Sequence, residues 1–333
     1  MAGCPKKRLP LPLWREASNA RRMIIFQFPG QGSQAVGMGQ ALAEAFPAAR
    51  AVFAEVDEAL GQNLSVLMRD GPDEALRLTE NAQPALMAVS LAAMRALESE
   101  FGVAVTAASY VAGHSLGEYS ALAAAGAFSV ADAARLLKRR GQAMQRAVPV
   151  GAGAMASLIG KVDVALAEEI AAEGAKAGVC VVANDNNVGN VVISGAAAGV
   201  EAAIAAAKAR GVRAIPLAVS APFHCPLMQP AAEEMARALA EAAIAAPRVP
   251  VVANVTVAPT QDPDTIRRLL VEQVTGRVRW RETVEWFAGQ GAARFVEIGA
   301  GKVLTGMSKR IAADAGSIAL NEPADLEAFA QSL

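Results

Sequence analysis

The chain has 333 residues, with 31 Lys+Arg against 32 Asp+Glu and a formal net charge of −1. That length can bury a large core, as one big domain or two smaller ones. The balanced charge argues against nucleic acid as the main partner, which needs a basic surplus to meet phosphates, and no stretch holds the ~20 large apolar residues of a membrane span.

The first 22 residues stand apart, carrying Lys6, Lys7, Arg8, Arg15, Arg21 and Arg22 against the single acid Glu16. A transit peptide, a mis-assigned start and a disordered tail all explain that bias. Residues 1–22 are therefore set aside as an extension, expected to be disordered, with Met23 as the working start of the fold. Residues 23–28 form a nearly continuous apolar run, as in a strand buried on both faces. They lead into Pro29-Gly30-Gln31-Gly32-Ser33-Gln34, a loop of turn residues. Helical patterns follow over 39–60 and 84–100.

Residues 108–112 read as a short buried strand and 118–125 as a helix. Between them stands Gly113-His114-Ser115-Leu116-Gly117. A strand–turn–helix with G-x-S-x-G at the bend has the form of a nucleophile elbow. Its glycines permit a tight turn that lifts the serine oxygen clear of the backbone, and the helix N-terminus points at the reacting centre. The plainer alternative is a turn whose serine caps a helix. A second helix is expected over 130–147.

From 151 to 218 the rhythm changes to strand 154–159, helix 164–173, strands 179–183 and 191–194, helix 200–209 and strand 212–217. This β-α-β-β-α-β order is the ferredoxin-like signature. Strands 249–255, 294–298 and 317–320 then alternate with helices, as in a mostly parallel sheet covered on both faces. The expected fold is α/β, with an α/β-hydrolase-like parallel-sheet core over 23–150 and 219–333. A ferredoxin-like small domain over 151–218 is inserted into it, leaving a cleft between the two.

A serine needs a base, and the chain holds only two histidines. His114 adjoins Ser115 and is a poor base for its own neighbour; it reads as a packed residue under the turn. His224, in Ser220-Ala221-Pro222-Phe223-His224-Cys225-Pro226 just after the insertion, is the remaining candidate. An ordinary α/β-hydrolase places an acid and then its histidine late in the chain. Here no Asp or Glu stands out, so a carbonyl would orient the imidazole in a Ser–His dyad. Cys4, Cys180 and Cys225 form neither a zinc pattern nor a disulfide framework, which suits a reducing compartment. A cytoplasmic location is expected, or an organelle if residues 1–22 direct import.

From residue 23 to the C-terminus the sequence resembles the malonyl-CoA:acyl carrier protein transacylases of fatty acid synthesis and the related acyltransferase domains of polyketide synthases. The resemblance lies in Phe28-Pro29-Gly30-Gln31-Gly32-Ser33-Gln34, the elbow with Glu118-Tyr119, and Arg140-Gly141-Gln142-Ala143-Met144-Gln145. It continues in Val191-Val192-Ile193-Ser194-Gly195, Phe223-His224 and Glu297-Ile298-Gly299-Ala300-Gly301-Lys302-Val303-Leu304. It implies that Ser115 accepts the acyl group, His224 is its base, and the backbone N–H groups of Gln31 and Leu116 form the oxyanion hole. It also implies that the Gln273 carbonyl orients His224 and that Arg140 pairs with the malonyl carboxylate. Phe223 is the residue type associated with malonyl over methylmalonyl choice. Gly276-Arg277, in place of a small residue and proline, and Ala300, in place of a frequent proline, depart from the pattern.

The resemblance implies no cofactor and no metal. The substrates are malonyl-CoA and phosphopantetheinylated acyl carrier protein, and the reaction is ping-pong transfer through malonyl-Ser115. No nucleic-acid or membrane partner is expected, and the enzyme is expected to be a monomer. Lys302, Lys309 and Arg310 are candidates for meeting an acidic carrier. A thioesterase or esterase using the same serine, and a non-catalytic carrier-docking module, are the rival readings.

Overall fold

The structure, a computed structural model, describes residues 23–333; the expectations for residues 1–22 lie outside that range. In chain order the strands are β1 (Met23–Phe28), β2 (Tyr110–Gly113), β3 (Gly153–Ile159), β4 (Cys180–Asn187), β5 (Asn190–Ala196), β6 (Arg213–Pro216), β7 (Val251–Val252), β8 (Pro259–Thr260), β9 (Ala292–Ile298) and β10 (Gly316–Leu320). One sheet has six strands in the order β10-β9-β1-β2-β7-β8. Its pairings are parallel except β7–β8, which is antiparallel. The second sheet is antiparallel, in the order β4-β5-β3-β6.

The apolar run of β1 lies in the middle of the larger sheet because helices cover both faces there. Phe26 and Phe28 join a core shared with helix Thr79–Phe101, while Ile25 packs with Trp280 and Phe287 on the opposite side. The smaller sheet has its own apolar layer, in which Leu158 and Ile193 meet Ile170 and Val200 of helices Val164–Gly174 and Ala197–Ala209. The carboxyl ends of β1 and β2 lie side by side, Phe28 opposite Gly113. Such ends in the middle of a parallel sheet are where α/β proteins place ligands.

Three sequence expectations change. The pattern over 39–60 is two helices, Gln40–Ala45 and Pro47–Leu60, because Phe46 is extended and the residue before a proline resists the helical region. The expected helix 84–100 begins at Thr79 and runs through Pro84, its interior packing outweighing a proline cost of ~3 kcal/mol. The expected strand 249–255 shrinks to Val251–Val252. The chain there leaves the ladder at Asn254, whose side chain turns to the elbow.

Candidate active site

Ser115 sits between β2 and helix Leu116–Ala124 with φ 54 and ψ −110, a backbone region that L-residues rarely occupy. Such strain costs of order 1–3 kcal/mol and persists only where the surroundings over-determine it. Here Ser115 N–H donates to Asn254 Oδ1 at 2.7 Å, while Asn254 Nδ2 donates to the Gly113 carbonyl at 2.7 Å. A Cβ on Gly113 would lie 1.9 Å from the Gly117 carbonyl, and one on Gly117 would lie 2.2 Å from the Phe28 carbonyl oxygen. Both elbow glycines are thus demanded by close approach, the first to the elbow's own helix and the second to the end of β1.

His224 is the second strained residue, with φ 57, in the loop after β6. Its Nε2 lies 2.7 Å from Ser115 Oγ. Its Nδ1 lies 2.9 Å from the Gln273 carbonyl oxygen and 3.1 Å from that of Gly276. Two carbonyls can only accept, so Nδ1 carries the proton and the Nε2 lone pair faces the serine hydroxyl. Helix Pro263–Thr275 explains why a carbonyl is free, since the last turn of a helix leaves its C=O groups unpaired. Burial, then the nearby Arg140 charge, pulls His224 down to about 3. The imidazole is therefore neutral and able to take a proton.

Arg140, on helix Val130–Ala147, is buried. Nη1 donates to Gln83 Oε1 at 2.8 Å, and Nη2 donates to Gln273 Oε1 at 2.9 Å and Ser115 Oγ at 3.1 Å. The guanidinium lies 5.7 Å from the Tyr119 ring centroid. Burial lowers its pKa, a shift that leaves a guanidinium charged. The sequence alone would leave Arg140 a solvated charge in Lys138-Arg139-Arg140; the structure puts it beside the serine.

Ser115, His224 and Arg140 open onto a cavity of about 400 Å³ between the two sheets. Gln31, Leu116 and Phe223 line it too, and so do Met155 and Val192 of the smaller sheet. Leu116 is the first residue of its helix, where N–H groups lack intrahelical acceptors. Gln31 is fixed through its side chain, whose Oε1 accepts from Thr79 Oγ1 at 2.9 Å. His114, expected as a packed residue, has its ring 5.8 Å from that of Trp280; it is half-buried and also lines the cavity, its Nε2 2.9 Å from Asn186 Oδ1. A larger hollow of about 540 Å³, beside Met38, Phe53, Asp57 and Met68, is lined by no histidine among the described residues, and its serine, Ser65, donates to the Asp57 carboxylate rather than facing an imidazole. Of the two, the smaller cavity is the one lined by the Ser115–His224 pair.

Sequence reasoning missed Gln83, Asn186, Asn254 and Glu118. Glu118 Oε2 accepts from Asn254 N at 2.9 Å and from Gln273 Nε2 at 2.9 Å. Its position three residues after Ser115, inside an apolar helix, was the available signal. Asn254 had none, because its role depends on the chain turning toward the elbow from a distant strand.

A charged group beside an oriented Ser–His pair suits acyl transfer to or from the serine oxygen. Comparison with known proteins agrees. The acyl transferase domain family matches residues 25–319. The chain is 47% identical over 308 residues to the malonyl CoA-acyl carrier protein transacylase of Escherichia coli (strain K12), covering 92% of this chain and 98% of that one. The acyl-carrier-protein-S-malonyltransferase structure from Bartonella henselae superposes with a TM-score of 0.91 at 53% identity, over 93% of this chain and 99% of the other. A malonyl-transacylase solved with its type II polyketide synthase acyl-carrier protein matches with a TM-score of 0.90 at 44% identity, covering 93% of this chain and 100% of that one. This chain belongs to the acyl transferase domain family.

Proposed function

We propose that the chain is a malonyl-CoA:acyl carrier protein S-malonyltransferase supplying malonyl units for fatty acid synthesis. The observation that carries this is the 2.7 Å Ser115–His224 pair with a buried arginine 3.1 Å from the same serine oxygen. In the first half-reaction His224 Nε2 takes the Ser115 proton as Oγ bonds to the thioester carbon. The N–H groups of Leu116 and Gln31 receive the oxyanion, the C–S bond breaks, and the CoA sulfur leaves with the proton from His224. Ser115 N–H is already committed to Asn254, which supports Leu116 as the elbow's donor.

In the second half-reaction the phosphopantetheine thiol of acyl carrier protein gives its proton to His224. Its sulfur attacks malonyl-Ser115, and the C–O bond breaks as Ser115 recovers a proton. The Gln273 carbonyl, seconded by that of Gly276, holds the imidazole throughout. Arg140 takes the malonyl carboxylate as a planar, permanently charged fork. The incoming carboxylate also offsets the charge that depresses His224, so the right cargo strengthens the base that acts on it. Phe223 closes the acyl end of the cavity against bulk.

We read residues 23–150 and 219–333 as an α/β-hydrolase-like large domain. Residues 151–218 are then a ferredoxin-like small domain, supported by the strand order β4-β5-β3-β6. Among the described residues no helix is long and apolar enough to cross a membrane. The cytoplasmic, monomeric enzyme with an acidic carrier as partner remains part of this reading, and Lys302, Lys309 and Arg310 are exposed.

Intact mass after exposure to a panel of acyl-CoAs tests it. Wild type should hold a malonyl adduct and pass it to carrier protein, whereas Ser115→Ala should hold none. Rapid malonate release without carrier protein would make the enzyme a hydrolase.

A further inference from the structure

A buried guanidinium ordinarily needs an anion, because an unpaired charge in the interior costs several kcal/mol even after relaxation. Yet the hydrogen bonds of Arg140 all go to neutral oxygens, those of Gln83, Gln273 and Ser115. Its Nε has no partner among the described residues. The buried carboxylate that answers this charge stands one side chain away. Gln273 Oε1 accepts from Arg140, while Gln273 Nε2 donates to Glu118 Oε2 at 2.9 Å and to the Ser115 carbonyl at 3.0 Å. The amide dipole is thus aligned between cation and anion, oxygen toward the arginine and N–H toward the carboxylate. Reversing the amide would face like with like at both ends.

We propose that Glu118 is the counter-charge of Arg140, held at one amide's length by the Gln273 side chain, so that the guanidinium keeps its strongest contact for the carboxylate of the acyl donor. A carboxylate in direct contact would have to be displaced by every substrate. A bridged one lowers the cost of burial and leaves only neutral oxygens on the fork, which a donor carboxylate can replace without displacing a charge. Glu118 is a positioning residue on this view: it touches no reacting atom but fixes Gln273, whose carbonyl holds His224, and Asn254, which holds Ser115. Burial raises Glu118 to about 7, with Arg140 opposing the rise. The charged and titratable groups bearing on the Glu118–Arg140 pair are the two themselves and Tyr119, while Arg140 and His114 bear on His224.

The assignment of the fork to a donor carboxylate rests on the acyl-transfer reading; the pairing itself does not. Both are tested in wild type, Glu118→Gln, Arg140→Met and the double variant. Glutamine keeps an oxygen for the two N–H donors and drops the charge. Ser115 acylation is read by intact mass with malonyl-CoA and with acetyl-CoA. Without its counter-charge Arg140 gains more from a donor carboxylate than from an uncharged acyl group. Above pH about 7, where Glu118 carries its charge, the malonyl:acetyl rate ratio should therefore rise about tenfold in Glu118→Gln, the worth of roughly one charge-assisted contact. The rise should vanish in the Arg140→Met background. Two rates that fall together with the ratio unchanged, or a rise that persists without Arg140, overturn the proposal.

Urea melts read the pairing with no acyl donor present. The double variant should lose less stability than the two single losses summed; additive losses overturn it. Should Glu118→Gln not fold, Arg140→Met carries the test alone. Its loss relative to wild type should be greater above pH about 7, where Glu118 must ionise unpaired, than below. An equal loss on both sides overturns the pairing. Coupled melts in an enzyme that takes no malonyl on Ser115 leave the pairing standing and remove the donor reading.

Discussion

The two walls of the cavity are built differently. The wall on the six-stranded sheet is one connected polar network: Ser115, His224, Gln273, Arg140, Gln83, Glu118 and Asn254 are all linked by hydrogen bonds of 2.7 to 3.1 Å. The opposite wall, on β3, β4 and β5, presents Met155 and Val192 with the amides of Asn184 and Asn186. Among the described residues it reaches the elbow through one hydrogen bond, which His114 Nε2–H donates to Asn186 Oδ1. Its main attachment lies to the side, where Ala183 O and Asp185 N pair with Val278 at 2.9 Å and Arg281 meets Asp185 at 2.8 Å. A fixed network sets reaction geometry, whereas an apolar wall sets which acyl groups fit. Changes in the first should therefore appear in rate, and changes in the second in selectivity.

Breaking the network at its reacting end should have the largest effect. His224→Ala removes the proposed base and should slow Ser115 acylation by about 10²–10⁴-fold, read in a single turnover with malonyl-CoA. A loss below tenfold would mean that another group takes the serine proton. Next comes Asn254→Ala, which touches no substrate. It orphans the Ser115 N–H and the Gly113 carbonyl, so thermal melts should show a destabilisation of ~1–3 kcal/mol. Acylation should fall as the strained elbow relaxes, and unchanged acylation would show that the glycines alone hold Ser115.

Acidity separates two members of this network by sign. The unfolded chain protonates His224 as pH falls through 6.5, while the folded protein leaves it neutral down to about 3, so His224 costs stability as pH falls across that window. Glu118 acts oppositely. Folded, it holds its proton below about 7, and unfolded it does so only below 4.5, so stability rises as pH falls from about 7 to 4.5. His224→Asn, which keeps an N–H for the Gln273 carbonyl, should lose less stability than wild type between pH 6.5 and 3 in urea melts. Parallel curves would place the acid sensitivity elsewhere.

The same contrast governs how much was legible in the sequence. Ser115 was readable because its strain leaves a local mark in Gly113 and Gly117. The βαββαβ rhythm of residues 151–218 was readable because each strand and helix has its own period. His224 followed from scarcity, there being two histidines in the chain. Burial of Arg140 against Gln83 and Gln273, residues 57 and 133 positions away, leaves no local trace, and only resemblance pointed there. Asn254 and Glu118 meet across 136 positions, a contact that local pattern does not encode.

The smallest expected effect, and the sharpest test of the contrast, is on the apolar wall. Met155 of β3 is buried, lines the cavity and makes no hydrogen bond to the dyad. Met155→Ala would remove side-chain volume from the wall while leaving Ser115, His224 and Arg140 in place. A pocket discriminates a methylene by only ~1–3 kcal/mol, so the gain for a branched donor such as methylmalonyl-CoA should be roughly 10-fold or somewhat more. Malonyl-CoA should lose little in single-turnover rate, because the proposed carboxylate contact, Arg140, lies on the opposite side. Equal losses for both donors would mean that the wall also positions the network, most directly through the Asn186–His114 contact, and that the division between a chemical wall and a selective wall is wrong.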